Sequence, residues 1–214
     1  MKNKFIMLLK DNWGFILVIF LMFASRSSIA DWYHVPSGSM LPTIQVGDRI
    51  FVNKLAYRLE VPFTDIAIMQ TEQPKRGEIV VFNSVVEQQR LIKRIVGLPG
   101  DHVSMINNKL IINGNVLTYQ NEQQSQFYEE DLLGVKHLVQ FDEVPQPMHS
   151  FPSVVIPEDH YFVMGDNRNN SRDSRYYGFV SSQELQGKAT KVIVSLDVNN
   201  YYLPKEERFL QDLN

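Results

Sequence analysis

A serine in a stiff, irregular segment is the first residue of the chain that could act as a nucleophile. Ser39 follows Gly38 and lies between Pro36 and Pro42. Proline fixes φ and glycine widens the accessible backbone, so this hydroxyl can project from a backbone that is neither helix nor strand. A nucleophile suits such a position, but an ordinary turn has the same composition. The segment alone leaves both interpretations open.

A lysine in an apolar run is the second candidate. Alternate side chains of a strand share a face, so Lys93 points with Leu91 and Ile95, and Arg94 points to the other face. One cation must therefore lie on an apolar face. An edge strand with a snorkelling cation would explain this pattern. A desolvated lysine would explain it too, because burial can lower a lysine pKa from about 10.4 by as much as 3–5 units, and a neutral amine can accept a serine proton.

A polar loop after a predicted strand is the third candidate. Residues 165–175, with the sequence GDNRNNSRDSR, are dense in short side chains that hydrogen-bond their own backbone. A surface turn has this composition. The mixture of aspartates and arginines also suits a rigid, salt-bridged shell behind a site.

Composition and motifs exclude several other chemistries. The chain has 214 residues and no cysteine, which removes disulfides, thiolate metal sites and a cysteine nucleophile. No Gly-x-Ser-x-Gly or His-Glu-x-x-His motif is present, and the five histidines do not have metal-ligand spacing. A net charge of −3 gives no basic surface for nucleic acid. We expect no cofactor, no metal and no nucleic-acid partner.

The chain around these segments is predicted to be mostly β, as antiparallel sheets. Period-2 alternation and continuous apolar runs predict strands, and Asn-rich connections near residues 107–108 and 113–115 predict tight hairpins of a meander. The main predicted strands are Asp48–Leu55, Gly77–Asn83, Arg90–Val96, His102–Ile106, Lys109–Ile112, Tyr161–Met164 and Ala189–Leu196.

Two segments depart from this pattern. Residues 119–153 are polar and rich in Gln and Glu, and they predict a small insertion with one strand-like piece at Lys136–Phe141. Ser182–Gln186 is the one short helix predicted after the N-terminal region.

The N-terminal region predicts a membrane segment. Residues 13–30 are apolar enough to form a transmembrane anchor, although their helical length of about 27 Å is marginal for a bilayer core of roughly 30 Å. Three lysines before the run place residues 1–12 in the cytoplasm and residues 31–214 outside. A cleaved secretory signal is the alternative, since Ser28 and Ala30 are small residues at the −3 and −1 positions. Self-processing after Ala30 is compatible with the anchor.

Four motifs, read in order, resemble those of bacterial type I signal peptidases. They are P-S-G-S-M-x-P-T at 36–43, G-D-R-I-F-V-N-K at 47–54, I-K-R-x-V-G-L-P-G-D at 92–101 and G-D-N-R-x-N-S-x-D-S-R at 165–175. The chain differs from the better-known Gram-negative members in having one apparent anchor instead of two and a shorter insertion.

The resemblance implies a role for each matching residue. Ser39 matches the nucleophile and Lys93 the general base. Ser37 matches the hydroxyl that joins the Ser39 N–H in the oxyanion hole, and Ser171 matches the serine that orients the lysine. The supporting charged shell would be Asp166, Arg94, Asp173 and Arg175, and the residues lining the substrate pockets would be Pro36, Met40 and Ile92.

The implied protein is a membrane-bound serine endopeptidase that removes signal peptides from exported preproteins after small residues at −1 and −3. Its partners would be preprotein signal peptides and the lipid bilayer of the cytoplasmic (inner) membrane, which a monomer crosses once, with its catalytic domain periplasmic or otherwise extracytoplasmic. Alternatives are a Ser/Lys processing peptidase with a dedicated substrate, such as a pilin, and a self-cleaving repressor, which the apolar segment disfavours. A non-catalytic, membrane-tethered β domain is the alternative from another class.

Overall fold

Antiparallel strands make up most of the described chain. The computed structural model describes residues 10–64, 66–121, 126–142, 148–197 and 200–213. All pairs of named strands within those ranges are antiparallel. The predicted class, mostly β with antiparallel sheets, is confirmed.

The described elements are two α-helices and eighteen strands, besides three short 3-10 helices. Two α-helices are described, α1 (Trp13–Ser28) and α2 (Ser174–Tyr177). The first strands are β1 (Ala30–His34), β2 (Asp48–Asn53), β3 (Arg58–Glu60), β4 (Ala67–Gln70), β5 (Ile79–Ser84), β6 (Gln89–Gly97), β7 (His102–Ile106), β8 (Lys109–Ile112) and β9 (Asn115–Val116). The others are β10 (Thr118–Asn121), β11 (Phe127–Asp131), β12 (Lys136–Gln140), β13 (Phe151–Val155), β14 (His160–Met164), β15 (Val180–Ser181), β16 (Leu185–Asp197), β17 (Leu203–Pro204) and β18 (Gln211–Asp212).

One large sheet carries the candidate site. Its strand order is β1-β2-β16-β5-β6-β14-β15, and β17 and β18 also pair with the long strand β16. Smaller sheets are β13-β7-β8-β9, β10-β11-β12 and the hairpin β3-β4.

Apolar clusters cover both faces of the large sheet at its centre. In β5, Ile79 and Val81 belong to one buried cluster, whereas Val80 and Phe82 belong to another on the opposite face. Burial on both faces explains why β5 and β6 are continuous apolar runs instead of alternating ones. It also places Lys93 and Arg94 of β6 in the interior, whereas Arg90 near the start of the strand is exposed.

The segment 119–153 contains more structure than its polar composition predicts. The predicted piece at 136–141 corresponds to β12, but β10, β11 and β13 also form in or at the edge of this segment. Alternation failed to reveal the sheet because its inward positions include polar side chains, of which Glu130 and His137 are buried. Residues 122–125 and 143–147 of the predicted insertion lie outside the described residues.

The short helix predicted over Ser182–Gln186 is present only in part. A single 3-10 turn at Ser182–Glu184 is capped by Ser181 and Glu184, and the chain then enters β16. Leu185 pairs with Phe82 of β5, so sheet pairing prevails over a weak local helix preference.

The N-terminal helix is shorter than the predicted segment 13–30. Helix α1 has 16 residues and ends at Ser28, because Ala30–His34 pairs with Asn53–Arg49 as β1. No helix within the described ranges is both long and apolar enough to cross a membrane. Residues 1–9 of the predicted cytoplasmic segment 1–12 lie outside the described residues.

Candidate active site

The loop between β1 and β2 fixes the position of Ser39. The side chains of Met40 and Ile44 enter the core, and the Ile44 amide donates to the Met40 carbonyl at 2.9 Å. The Leu41 amide donates to the Gly38 carbonyl at 3.1 Å. Apolar residues just after the serine therefore hold this loop on the sheet, while Ser39 itself is half-buried.

Strand β6 brings a lysine to the same point. The Nζ atom of Lys93 lies 2.6 Å from the Oγ atom of Ser39 and donates a hydrogen bond to it. Burial lowers the pKa of Lys93 to about 8, whereas Asp173 and Asp166 oppose this shift. The expected pairing of the two residues is present in the geometry, and a large fraction of the lysine is neutral slightly above physiological pH.

The polar loop 165–175 passes directly behind the serine. The backbone N–H of Asn167 donates to the Ser39 carbonyl at 3.1 Å, and its side-chain amide donates to the Gly38 carbonyl at 3.1 Å. A Cβ at Gly165 would lie 2.4 Å from the Ser39 carbonyl oxygen and 2.3 Å from the Ser171 Oγ. Glycine is required here because the two loops approach to backbone contact.

Two buried ion pairs support this loop. Both carboxylate oxygens of Asp166 accept from Arg94, at 2.9 and 2.7 Å, and one also accepts from the Thr43 hydroxyl at 2.5 Å. Asp173 accepts from the Arg175 side chain at 2.8 Å and from the Gly165 N–H at 3.1 Å. Thus the predicted shell of Asp166, Arg94, Asp173 and Arg175 lies together around the loop.

Burial and pairing act on these carboxylates in opposite directions. Burial alone would raise the pKa of Asp166, but Arg94 beside it holds that pKa below its ordinary value. Burial would likewise raise the pKa of Asp173, and hydrogen bonds from Arg175 lower it. Both groups are therefore ionised at neutral pH.

The two supporting serines differ in their surroundings. Ser37 is exposed and lies in the lining of the cleft beside Ser39. Ser171 is buried. Among the described residues, no group forms a hydrogen bond of good geometry with its Oγ atom, and Lys93 is no exception. Ser171 nevertheless lies near enough to Asp173 to help lower the pKa of that carboxylate.

An open cleft of about 290 Å³ gives access to the pair. The predicted pocket residues Pro36, Met40 and Ile92 all contribute to its lining. Other lining residues were not predicted; they are Val35, Gln89, Arg90, Leu91, Asn170 and Arg172. Since β6 pairs with β5 through Gln89–Arg94 and with β14 only through Arg94–Gly97, its second edge has no strand partner from Gln89 to Lys93 in the described structure.

Sequence reasoning missed a third buried ion pair, which lies next to the other two. Both guanidinium ends of Arg168 donate to Glu130 of β11, and the Nε2 atom of His137 lies 3.2 Å from the same carboxylate. Glu130 lies in the segment that the sequence assigned to an insertion. The buried acid could have been predicted only by assigning a strand there and placing Glu130 on its inward face. The Gln140 N–H also donates to the Asp166 carbonyl at 2.8 Å, and this bond joins the small sheet β10-β11-β12 to the loop 165–175.

Among the described residues, no group of three or more His, Cys, Asp or Glu side chains is arranged to hold a metal ion. The reactive groups that the cleft presents are the Ser39 hydroxyl and the desolvated Lys93 amine beside it.

In an open cleft of this antiparallel β domain, a serine hydroxyl is hydrogen-bonded to a buried amine. This is the arrangement of a serine peptidase, a hydrolase. The chain belongs to the signal peptidase family, peptidase S26, whose family model matches residues 10–194.

Two relatives named signal peptidase I agree with that assignment. Signal peptidase I of Pseudomonas aeruginosa is 35% identical over 212 residues, which cover 90% of this chain and 75% of that protein. Signal peptidase I of Buchnera aphidicola subsp. Schizaphis graminum is 33% identical over 225 residues, covering 83% of this chain and 72% of that protein. A crystal structure of a signal peptidase I from Enterococcus faecalis V583 has 32% sequence identity and a TM-score of 0.38, covering 56% of this chain and 100% of that chain.

Proposed function

We propose that this chain removes N-terminal signal peptides from exported preproteins by acyl transfer through Ser39. The observation that carries the proposal is the 2.6 Å contact between the Ser39 hydroxyl and the buried Lys93 amine. The names of the relatives, signal peptidase I, indicate the substrate class.

The reaction begins with the neutral form of Lys93. Its amine takes the Ser39 proton as the hydroxyl oxygen attacks the scissile carbonyl carbon, and the carbonyl π electrons move to the oxygen. Collapse of this intermediate breaks the C–N bond, and the Lys93 ammonium protonates the leaving amine of the mature protein. The signal peptide remains as an ester on Ser39 until Lys93 activates a water that hydrolyses it.

The developing oxyanion needs donors, and we assign the Ser37 hydroxyl and the Ser39 N–H to this role. The position of Ser37 in the cleft lining beside Ser39 supports the assignment. Removal of one such donor costs about 3–4 kcal/mol of barrier in related hydrolases. We therefore expect Ser37→Ala to lower kcat by about two to three orders of magnitude.

Substrate would bind as an extended strand. The unpaired edge of Gln89–Lys93 offers backbone donors and acceptors beside the reacting pair, as in other complexes that add a strand to a sheet. Pro36, Met40 and Ile92 give the adjoining surface an apolar character that suits small residues at −1 and −3.

The buried shell would act by holding this geometry. Asp166 with Arg94 and Asp173 with Arg175 fix the loop that binds the Ser39 carbonyl, and Ser171 would restrain the lysine side chain once substrate excludes water. These are positioning residues, since none of them contacts the reacting hydroxyl.

We further propose that the N-terminal segment attaches the chain to the cytoplasmic membrane, with residues 31–214 on the extracytoplasmic face. Large apolar side chains are exposed around α1, and others are exposed on the β3–β4 hairpin. The two groups adjoin each other, since the ring centroids of Phe20 and Phe63 are 5.7 Å apart. Replacing both Phe20 and Phe23 with Asp should leave the protein in the dense lower fractions of a flotation gradient, whereas the wild type should rise with the membrane vesicles. The matched control is Asp at Ile106 and Val116, which are also exposed; equal loss in both variants would contradict the assignment.

The deciding experiment is cleavage of a preprotein with small residues at −1 and −3. We expect Ser39→Ala and Lys93→Ala each to abolish cleavage, and Lys93→Arg to stay inactive because a guanidinium does not give up its proton. Circular dichroism would establish that each variant is folded. Full activity in either alanine variant would disprove the mechanism.

A further inference from the structure

The cleft is cationic. The side chains that line it include Arg90, Lys93 and Arg172, and within the described structure none of the lining residues is acidic. Of these three, Lys93 belongs to the reacting pair, so the two arginines determine the charge that a substrate meets around it.

The two arginines differ in how their charge is compensated. The Arg172 Nε donates to the Glu87 carboxylate at 2.8 Å, and the two form an ion pair. A substrate near Arg172 therefore meets a guanidinium whose charge is already largely balanced.

In the described part of the chain, the groups that hold Arg90 are neutral. Its guanidinium carbon lies 4.2 Å from the ring centroid of Tyr33, and its Nε donates to the Asn83 side-chain oxygen at 3.1 Å. No carboxylate of the described residues forms an ion pair with it. The contacts fix the position of Arg90 and leave its charge available.

The position of Arg90 relates it to the scissile bond. It lies on the unpaired edge of β6, on the same face as the cleft residue Ile92 and three positions before Lys93. At about 3.3 Å per residue this is roughly 10 Å along the strand. An extended substrate on this edge would therefore place a side chain about three residues from the scissile bond near the guanidinium.

We propose that Arg90 is a specificity-determining residue that favours preproteins with Asp or Glu at that distance from the cleaved bond. A carboxylate is the planar acceptor that a guanidinium binds with two parallel hydrogen bonds. This inference rests on the proposed function and adds a substrate class to it.

The test compares preproteins that differ only by Asp or Asn, with the substitution moved through positions −6 to +4. Wild-type enzyme should show, at one position two to four residues from the bond, a kcat/KM about three- to tenfold higher for Asp at low salt. That preference should weaken at high salt, since exposed charges are screened. In Arg90→Gln the ratio should fall to about one, and in Arg90→Glu the enzyme should prefer Lys over Gln at the same position.

Arg172→Gln is the matched control, because it removes an equal charge from the same cleft and should retain the preference for Asp. An equal loss of the preference in both variants would show a general field and overturn the assignment. So would an Arg90→Gln enzyme that slows Asp and Asn substrates by the same factor, or a wild type with no preference at any position. A wild type that fails to cleave the Asn reference would remove the proposed function itself; cleavage of that reference without an Asp preference would remove this inference alone.

Discussion

Lys93 keeps a low pKa although two carboxylates lie near it. Asp166 and Asp173 both favour the ammonium form, but burial outweighs them. The geometry explains why, because each carboxylate is already paired with an arginine of its own, Arg94 or Arg175. The amine therefore lies in a nearly neutral surrounding, where desolvation is the dominant effect.

This balance predicts that Lys93 destabilises the fold. Its pKa is about 8 in the folded chain and about 10.5 when unfolded, so the unfolded state binds more protons between these values and stability rises with pH there. Below pH 8 the full penalty applies, about 3 kcal/mol at 1.36 kcal/mol per pKa unit. We expect Lys93→Met to raise the free energy of unfolding at pH 6 by up to this amount while abolishing activity.

Urea unfolding at several pH values would check this prediction. The advantage of Lys93→Met over wild type should narrow by about 1 kcal/mol between pH 6 and pH 9. The exposed Lys109 provides the control, since Lys109→Met should give no comparable pH-dependent difference. An advantage for Lys93→Met that stays constant with pH would mean that packing, and not the buried charge, produced it.

At the level of elements, the site depends on two loops that bind each other's backbone. The loop after β14 donates from Asn167 to the carbonyls of Ser39 and Gly38, and the space between the loops is too small for a Cβ at Gly165. Neither loop has regular secondary structure, so their contact, together with the burial of Met40 and Ile44, fixes the serine relative to β6.

We therefore expect Gly165→Ala to lower both stability and kcat, because the added methyl group would push the Ser39 loop away from its position. Overpacking of this kind costs about 1–3 kcal/mol of stability, and displacement of a nucleophile by about 1 Å can cost roughly 100-fold in rate. Thermal unfolding and kcat measurements on the purified enzyme would test both effects. Gly114→Asn, in a remote turn with open space, should leave kcat unchanged; normal kcat in Gly165→Ala would refute the close-contact interpretation.

The sequence predicted some of these elements and not others, for physical reasons. Strands with apolar runs, such as β5, β6 and β14, were recognisable because core burial selects their composition. Of the sheet β10-β11-β12, the strand β12 was predicted but β10 and β11 were not, since the sheet buries Glu130 and His137 and exposes much of the rest. For Ser39 and Lys93, local composition left a plain turn and an edge strand open; only the motifs taken together indicated that residues 54 positions apart would meet.

At the scale of the whole molecule, the interior behind the cleft is a balanced set of charges. Three buried acids, Glu130, Asp166 and Asp173, pair with three buried arginines. Breaking one such pair is expected to cost about 3–5 kcal/mol, because a lone charge would stay in the interior. The small sheet is thus joined to the large one through ionic contacts as well as apolar ones.

The same set of charges predicts a steep loss of stability in acid. Burial would raise the pKa of Glu130, yet Arg168 holds it below its ordinary value, as the arginines beside Asp166 and Asp173 do for those residues. A depressed folded-state pKa gives stability that is present above the unfolded value, near pH 4, and is lost as pH falls through the folded one. All three acids must be protonated on unfolding, so we expect the free energy of unfolding to fall below about pH 4 with a slope approaching three protons.

Asp173→Asn should reduce that slope by about one proton, whereas Asp212→Asn, an exposed carboxylate, should reduce it much less. Equal slopes in wild type and Asp173→Asn would show that the buried pairs do not control acid unfolding.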